Sequence, residues 1–248
     1  MTEPITSRKN STIQRVRRLL SSRKARQEEG LFVADGTKLL EEAVKWWPGL
    51  KMVLHTPEID PNVPAGVEKI VISRELMEYV SPMETPQGAL FICALPEQTA
   101  LQAKPGMLLL DGIQDPGNLG TILRTADAMG MPVVLLEGCA DPYSHKVVRS
   151  SMGAVFRSVP VISTWEDVQA ACQKAGIPVA VTALSPKAKD IRQADLSKMA
   201  VVIGSEGQGV RQEILQSAQA ELIIPMNEKC ESLNAAVAAT IVLWEMKK

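Results

Sequence analysis

The chain reads as an α/β protein in two parts: a small N-terminal domain, then a larger one built on a mainly parallel sheet. Three observations predict this. Apolar runs at 107–110, 132–136, 177–182, 200–203 and 221–224 are each followed by a helical or turn segment, the pattern of buried parallel strands with helices on both faces. Strand candidates at 31–34, 52–55, 69–73 and 89–94 alternate with helical pattern, as in a small α/β domain. Between the two sets, Pro96 to Pro105 has a proline at each end and neither period, which reads as a linker. The expected boundaries are therefore 1–96 for the first domain, 97–105 for the linker and 106–248 for the second domain.

With 248 residues, 46% hydrophobic and 22% charged, the chain can bury a substantial core. It has no run of about 18 apolar residues, and its N-terminus is basic and polar without an apolar signal core. Neither a membrane span nor a secretory signal is indicated, and the expected compartment is the cytoplasm. Cys93, Cys139, Cys172 and Cys230 stand singly with only His55 and His145 for company, so neither a disulfide framework nor a metal site is expected.

The first element is a basic helix. Ile13, Val16, Leu19 and Leu20 fall at helical spacing, with arginines on the other faces. Eight bases against one acid make residues 1–26 +7, so the overall charge of −1 leaves −8 for the rest. Such an arm suits nucleic acid, because each base near a phosphate releases counterions. Arg8, Lys9, Arg15, Arg17 and Arg18 are the expected contacts. A strand at Leu31 to Ala34 then turns at Asp35-Gly36 into a helix reaching Trp46.

The second domain holds three loop-to-helix junctions that mix glycine with polar residues. Asp115-Pro116-Gly117-Asn118 is turn chemistry leading into a helix with the apolar stripe Leu119, Ile122, Leu123, Ala126 and Met129, from which Arg124 points away. Gly204-Ser205-Glu206-Gly207-Gln208-Gly209 follows an apolar strand, and its glycines permit close backbone approach. The order G-x-x-G-x-G is not the dinucleotide fingerprint, and neither a P-loop nor a G-x-S-x-G elbow occurs. Ile224-Pro225-Met226 leads to Ser232-Leu233-Asn234 and an apolar terminal helix, for which Ser232 is a good N-cap.

In order and content these three segments resemble the signature motifs of the SpoU (TrmH-like) class of SPOUT RNA ribose methyltransferases. The resemblance implies a parallel-sheet domain whose C-terminal segment is threaded as a deep trefoil knot, which sequence pattern alone does not indicate. It also implies S-adenosylmethionine as cofactor, a ribose 2′-hydroxyl of structured RNA as acceptor (rRNA first, tRNA second) and a homodimer. Carried onto matching positions, Asn118, Arg124, Glu206, Ser232 and Asn234 become catalytic candidates. Leu184, Gly204, Ile224, Met226, Ser232 and Leu233 become cofactor candidates. Lys146 to Arg157 is also similar to family sequence and adds Arg149 and Ser150 as RNA contacts, while His145 beside them reads as a surface histidine. Gly30 to Gly36 resembles a Phe-Val-x-Glu-Gly segment of the family's N-terminal RNA-binding domain, with Asp35 in place of Glu. One departure is Met226-Asn227-Glu228, where relatives commonly have Met-x-Gly.

Overall fold

The computed structural model describes residues 4–97, 99–227, 229–230 and 232–248. The chain forms two compact units, Met1–Glu97 with Tyr143–Arg157, and Gln98–Pro142 with Ser158–Lys248.

In the first unit α1 (Ser11–Ser21) and α2 (Arg23–Glu29) precede β1 (Leu31–Asp35), α3 (Thr37–Trp46), β2 (Leu50–His55), β3 (Glu68–Val71), α4 (Arg74–Val80) and β4 (Ala89–Ala94). Asn10 caps α1, its Oδ1 accepting from the Thr12 N–H at 2.9 Å. The apolar positions of α1 behave as their spacing predicts: Ile13, Val16 and Leu19 are fully buried against Val33, Leu54 and Leu90. The strands run in the order β1-β4-β2-β3, with β4 antiparallel to both neighbours.

The second unit opens with β5 (Met107–Asp111), α5 (Pro116–Met129) and β6 (Val133–Leu135). The chain then returns to the first unit for α6 (His145–Ser150) and α7 (Ala154–Arg157). This differs from the expected continuous second domain over 106–248, and the reason is aromatic packing. Phe156 lies 6.2 Å from both Phe32 and Phe91 and 5.7 Å from Trp47, ring centre to ring centre. His145 is correspondingly not a surface residue: it is half-buried, with Nδ1 lacking a hydrogen-bond partner among the described residues.

The second unit resumes with β7 (Val161–Ile162), α8 (Trp165–Ala175), β8 (Val179–Thr182), β9 (Lys189–Asp190), β10 (Ala200–Gly204), α9 (Gln212–Ser217), β11 (Ala220–Ile223) and α10 (Ala235–Lys247). All seven strands are parallel, in the order β7-β6-β5-β10-β8-β11-β9. The two-residue strands β7 and β9 are too short for periodicity to reveal. Leu101 and Ala103, inside the expected linker, pack against this unit's core.

The register of the two central strands positions the site. Gly204 pairs with Asp111, so the chain leaves β10 and β5 at the same edge of the sheet. Ligands of open α/β sheets bind at such carboxyl ends. Helix α5 is fastened there by Leu119, Ile122 and Leu123, each nearly fully buried and contributing roughly 1.5–3 kcal/mol.

Candidate active site

Asp115 caps α5, its Oδ1 accepting from the Asn118 N–H at 2.7 Å, with Pro116 in the first turn where no N–H is needed. The Asn118 backbone is thereby satisfied, and its side-chain amide can bridge other segments. Nδ2 of Asn118 donates to Oε1 of Glu206, and Oδ1 accepts from Nδ2 of Asn234 at 2.9 Å.

Asn234, not Ser232, is the N-cap of α10: its Oδ1 accepts from the N–H groups of Ala236 at 2.9 Å and Val237 at 3.2 Å. This corrects the sequence expectation. Both residues are good local caps, but only Asn234 can cap and also offer an N–H to Asn118. The orientation of every amide in the chain follows from that cap. Oδ1 of Asn234 must face the helix, so its Nδ2 faces Asn118, whose own Nδ2 must then face Glu206.

Glu206 stands in a tight loop closed by reciprocal backbone hydrogen bonds between Ser205 and Gly209, at 3.1 and 3.0 Å. Gly204 enters that loop where no side chain fits. A Cβ there would lie 2.1 Å from the Gly209 carbonyl carbon, while Gly209 itself has φ +68°. The far end of the loop is clamped. Arg211 donates from its backbone N–H to Asp111 Oδ2 at 2.9 Å and from Nε to Oδ1 at 2.7 Å, with further bonds to Glu137 and Glu213. Burial alone lowers the Arg211 pKa, but the bonds to Asp111 and Glu137 outweigh it and raise the value. Asp111 is 2% exposed, so this is a nearly buried carboxylate paired with a partly exposed guanidinium. Sequence reasoning missed both; an acid closing an otherwise apolar parallel strand was the available signal.

Beside this loop lies a cleft of about 940 Å³. Leu184, Gly204, Ile224, Met226, Ser232 and Leu233 all line it, with Glu206 at the same wall. Its size and its mixture of aliphatic side chains with loop backbone fit a nucleoside-sized ligand. Leu184 is 66% exposed, an apolar side chain left open to the mouth. Glu228 lies outside the described residues.

Arg124 does not join the amide chain. It is exposed on α5, about 9 Å along the axis from Asn118, and its guanidinium has no hydrogen bond or ion pair among the described residues. Glu206 accepts from Asn118. Arg149 and Ser150 belong to the first unit, Arg149 reaching Met83 Sδ at 2.7 Å and Ser150 Oγ donating to the Lys146 carbonyl at 2.8 Å. Among the described residues no group of three or more His, Cys, Asp or Glu is placed to hold a metal, and no helix is long and apolar enough to cross a membrane.

Comparison with known proteins bears on this geometry. Residues 10–90 match the MRM3-like substrate binding domain. The 23S rRNA (guanosine(2553)-2′-O)-methyltransferase RlmP of Bacillus subtilis is 35% identical over 98% of both chains. Mitochondrial rRNA methyltransferase 3 of Homo sapiens is 31% identical, covering 93% of this chain and 70% of its own. The crystal structure of an AdoMet-bound rRNA methyltransferase from Sinorhizobium meliloti superposes with a TM-score of 0.89 at 29% identity, over 99% of this chain and 97% of that one. Residues 105–244, which carry the cleft and all three junctions, match the SpoU rRNA methylase family, and the chain belongs to it.

Proposed function

We propose that the protein is an S-adenosylmethionine-dependent methyltransferase acting on a ribose 2′-hydroxyl of structured RNA, with rRNA favoured over tRNA. One observation carries this reading: the hydrogen-bonded chain Asn234–Asn118–Glu206 ties all three junctions together, and Glu206, Ser232 and Leu233 of that assembly line the cleft. When bound there, S-adenosylmethionine supplies an electrophilic methyl group on a sulfonium. Ile224, Met226, Leu233 and Leu184 would hold its adenine, and the backbone at Gly204 and Ser232 would take its polar groups.

Transfer requires the hydroxyl oxygen in line with the methyl carbon and the loss of a weakly acidic proton. Arg124 serves as an electrostatic and positioning group for the developing alkoxide and the adjacent phosphate. No carboxylate within the described chain neutralises it, so its charge is available to RNA. A guanidinium is normally protonated, which makes it a poor proton acceptor. Glu206, fixed by Asn118, orients the substrate side of the cleft.

The first unit binds the RNA, in keeping with its substrate-domain match, and the C-terminal segment of the second is threaded as a deep trefoil knot, as the resemblance to the SPOUT class implies. The protein acts as a homodimer in the cytoplasm. Val237 and Trp244 are 48% and 61% exposed on α10, with Ile241 between them at helical spacing, and this apolar stripe fits a second copy. Light scattering on the purified protein should give twice the monomer mass.

Mass-spectrometric mapping of ribose methylation in total RNA from a deletion strain against wild type tests the activity. Loss of one rRNA 2′-O-methyl group is expected. Loss from tRNA alone would redirect the substrate, and no loss from either, with no transfer in vitro, would overturn the reading.

A further inference from the structure

The eight bases of residues 1–26 are not equivalent once folded. Arg15 Nε meets Glu29 Oε2 at 2.5 Å, and Arg18 Nη2 pairs with Oε1 of the same carboxylate. The bond from Arg18, with help from Arg15, holds the Glu29 carboxyl below its usual range despite partial burial. Lys24 faces Glu28 at 3.7 Å. Arg26 is buried and donates to the Leu19 carbonyl at 2.5 Å, closing the end of α1. All four are engaged by partners within the fold.

Arg8 and Arg17 are placed differently. Their guanidinium carbons lie over one ring, that of Tyr79, at 4.3 and 4.5 Å from its centre, and Arg17 Nη1 also donates to the Tyr79 hydroxyl. Tyr79 sits on α4, half-buried and packed against the first unit's core, so the ring is a fixed platform. Gln14 Nε2 donates to the Arg8 carbonyl at 2.6 Å, holding the segment before α1 in place. Glu75 and Glu78 share α4 with Tyr79, yet neither Arg8 nor Arg17 is in an ion pair among the described residues.

We infer that Arg8, Arg17 and Tyr79 form a phosphate clamp for the RNA backbone, the principal electrostatic contact of the first unit; this rests on the RNA-methyltransferase reading above. Two like charges held at one ring add their attraction for the RNA backbone, and each planar fork offers N–H donors to phosphate oxygens. Cation–π contact fixes both side chains beforehand, so less rotamer freedom is lost when RNA docks. Because guanidinium groups cover the ring, a phosphate fits this platform better than a stacked base.

The test is fluorescence anisotropy of full-length protein on in vitro transcribed large-subunit rRNA, across a salt series. Arg8→Ala with Arg17→Ala should flatten the slope of log affinity against log salt by about 1.4–1.8, the release expected for two phosphate contacts. Arg15→Ala with Arg18→Ala should lower Tm and leave the slope near wild type. Tyr79→Leu, which keeps both charges and an apolar side chain but removes the ring and its hydroxyl, should weaken binding several-fold. An unchanged slope for the Arg8 and Arg17 pair, or an equal loss for the Arg15 and Arg18 pair, would overturn the clamp. Wild-type transfer of labelled methyl to the same transcript is scored separately, so a failure of the enzymatic reading shows there even if the clamp stands.

Discussion

Asn234 donates from Nδ2 to Oδ1 of Asn118 at 2.9 Å, across 116 residues of sequence, while its own Oδ1 caps the last helix. One side chain therefore sets the start of α10 and, through Asn118, the position of Glu206. Asn234→Ala should lose the cap, at about 0.5–2 kcal/mol, together with methyl transfer. Asn234→Asp separates the two roles, because aspartate caps equally well but has no N–H for Asn118. Tm near wild type with single-turnover transfer down tenfold or more is expected; full activity in Asn234→Asp would remove the amide chain from the mechanism.

Arg124→Ala is expected to slow transfer by roughly two to four orders of magnitude, the scale for an electrostatic group acting in the transition state. Its affinity for S-adenosylhomocysteine should not change, since Arg124 stands apart from the residues lining the cleft. Arg124→Lys should rescue poorly, because one ammonium does not reproduce a planar fork. Single-turnover rates beside calorimetric titration check this, and near wild-type transfer by Arg124→Ala would show the assigned role to be wrong.

Gly204→Ala should abolish S-adenosylhomocysteine binding, because the new methyl group would sit 2.1 Å from backbone carbon at Gly209 and force the loop open. The titration belongs on the full chain. An isolated 106–248 fragment would strip Phe156 of its packing against Phe32 and Phe91.

Arg211→Ala leaves the Asp111 carboxylate nearly buried without its cation. Breaking a fully buried pair costs about 3–5 kcal/mol, and the partial exposure of Arg211 argues for the lower end or less. A lowered Tm accompanied by weaker cofactor binding is expected, because Arg211 anchors the end of the 204–210 loop. Thermal melts with and without S-adenosylhomocysteine measure both effects, and an unchanged ligand-induced shift would separate the clamp from the cleft.

His145 should make stability fall in mild acid. Burial first, and then the charge of Lys146, push its pKa below the ordinary 6.5, so the unfolded chain binds a proton more readily than the folded one. Its contribution is complete above pH 6.5 and is lost as pH falls through the lowered folded value. His145→Gln should flatten that part of the Tm–pH curve, and an identical profile would assign the acid sensitivity to other groups.

The sequence by itself determined the parts. Periodicity marked the buried face of α1 and the stripe of α5, and glycine and proline placed the loops at 115–118 and 204–209, because these signals act over a few residues. Tertiary structure decided how the parts join. The return of residues 143–157 to the first unit depends on Phe156 meeting Phe32 and Phe91, a match of aromatic shapes that no local pattern encodes. The choice of Asn234 over Ser232 as cap has the same origin. Local chemistry accepts either, and the contact with Asn118, set only when β5 and β10 pair in register, breaks the tie. It likewise took the folded chain to divide the arginines of the basic arm between Glu29 and Tyr79, since charge is read from composition but its partners are assigned in space.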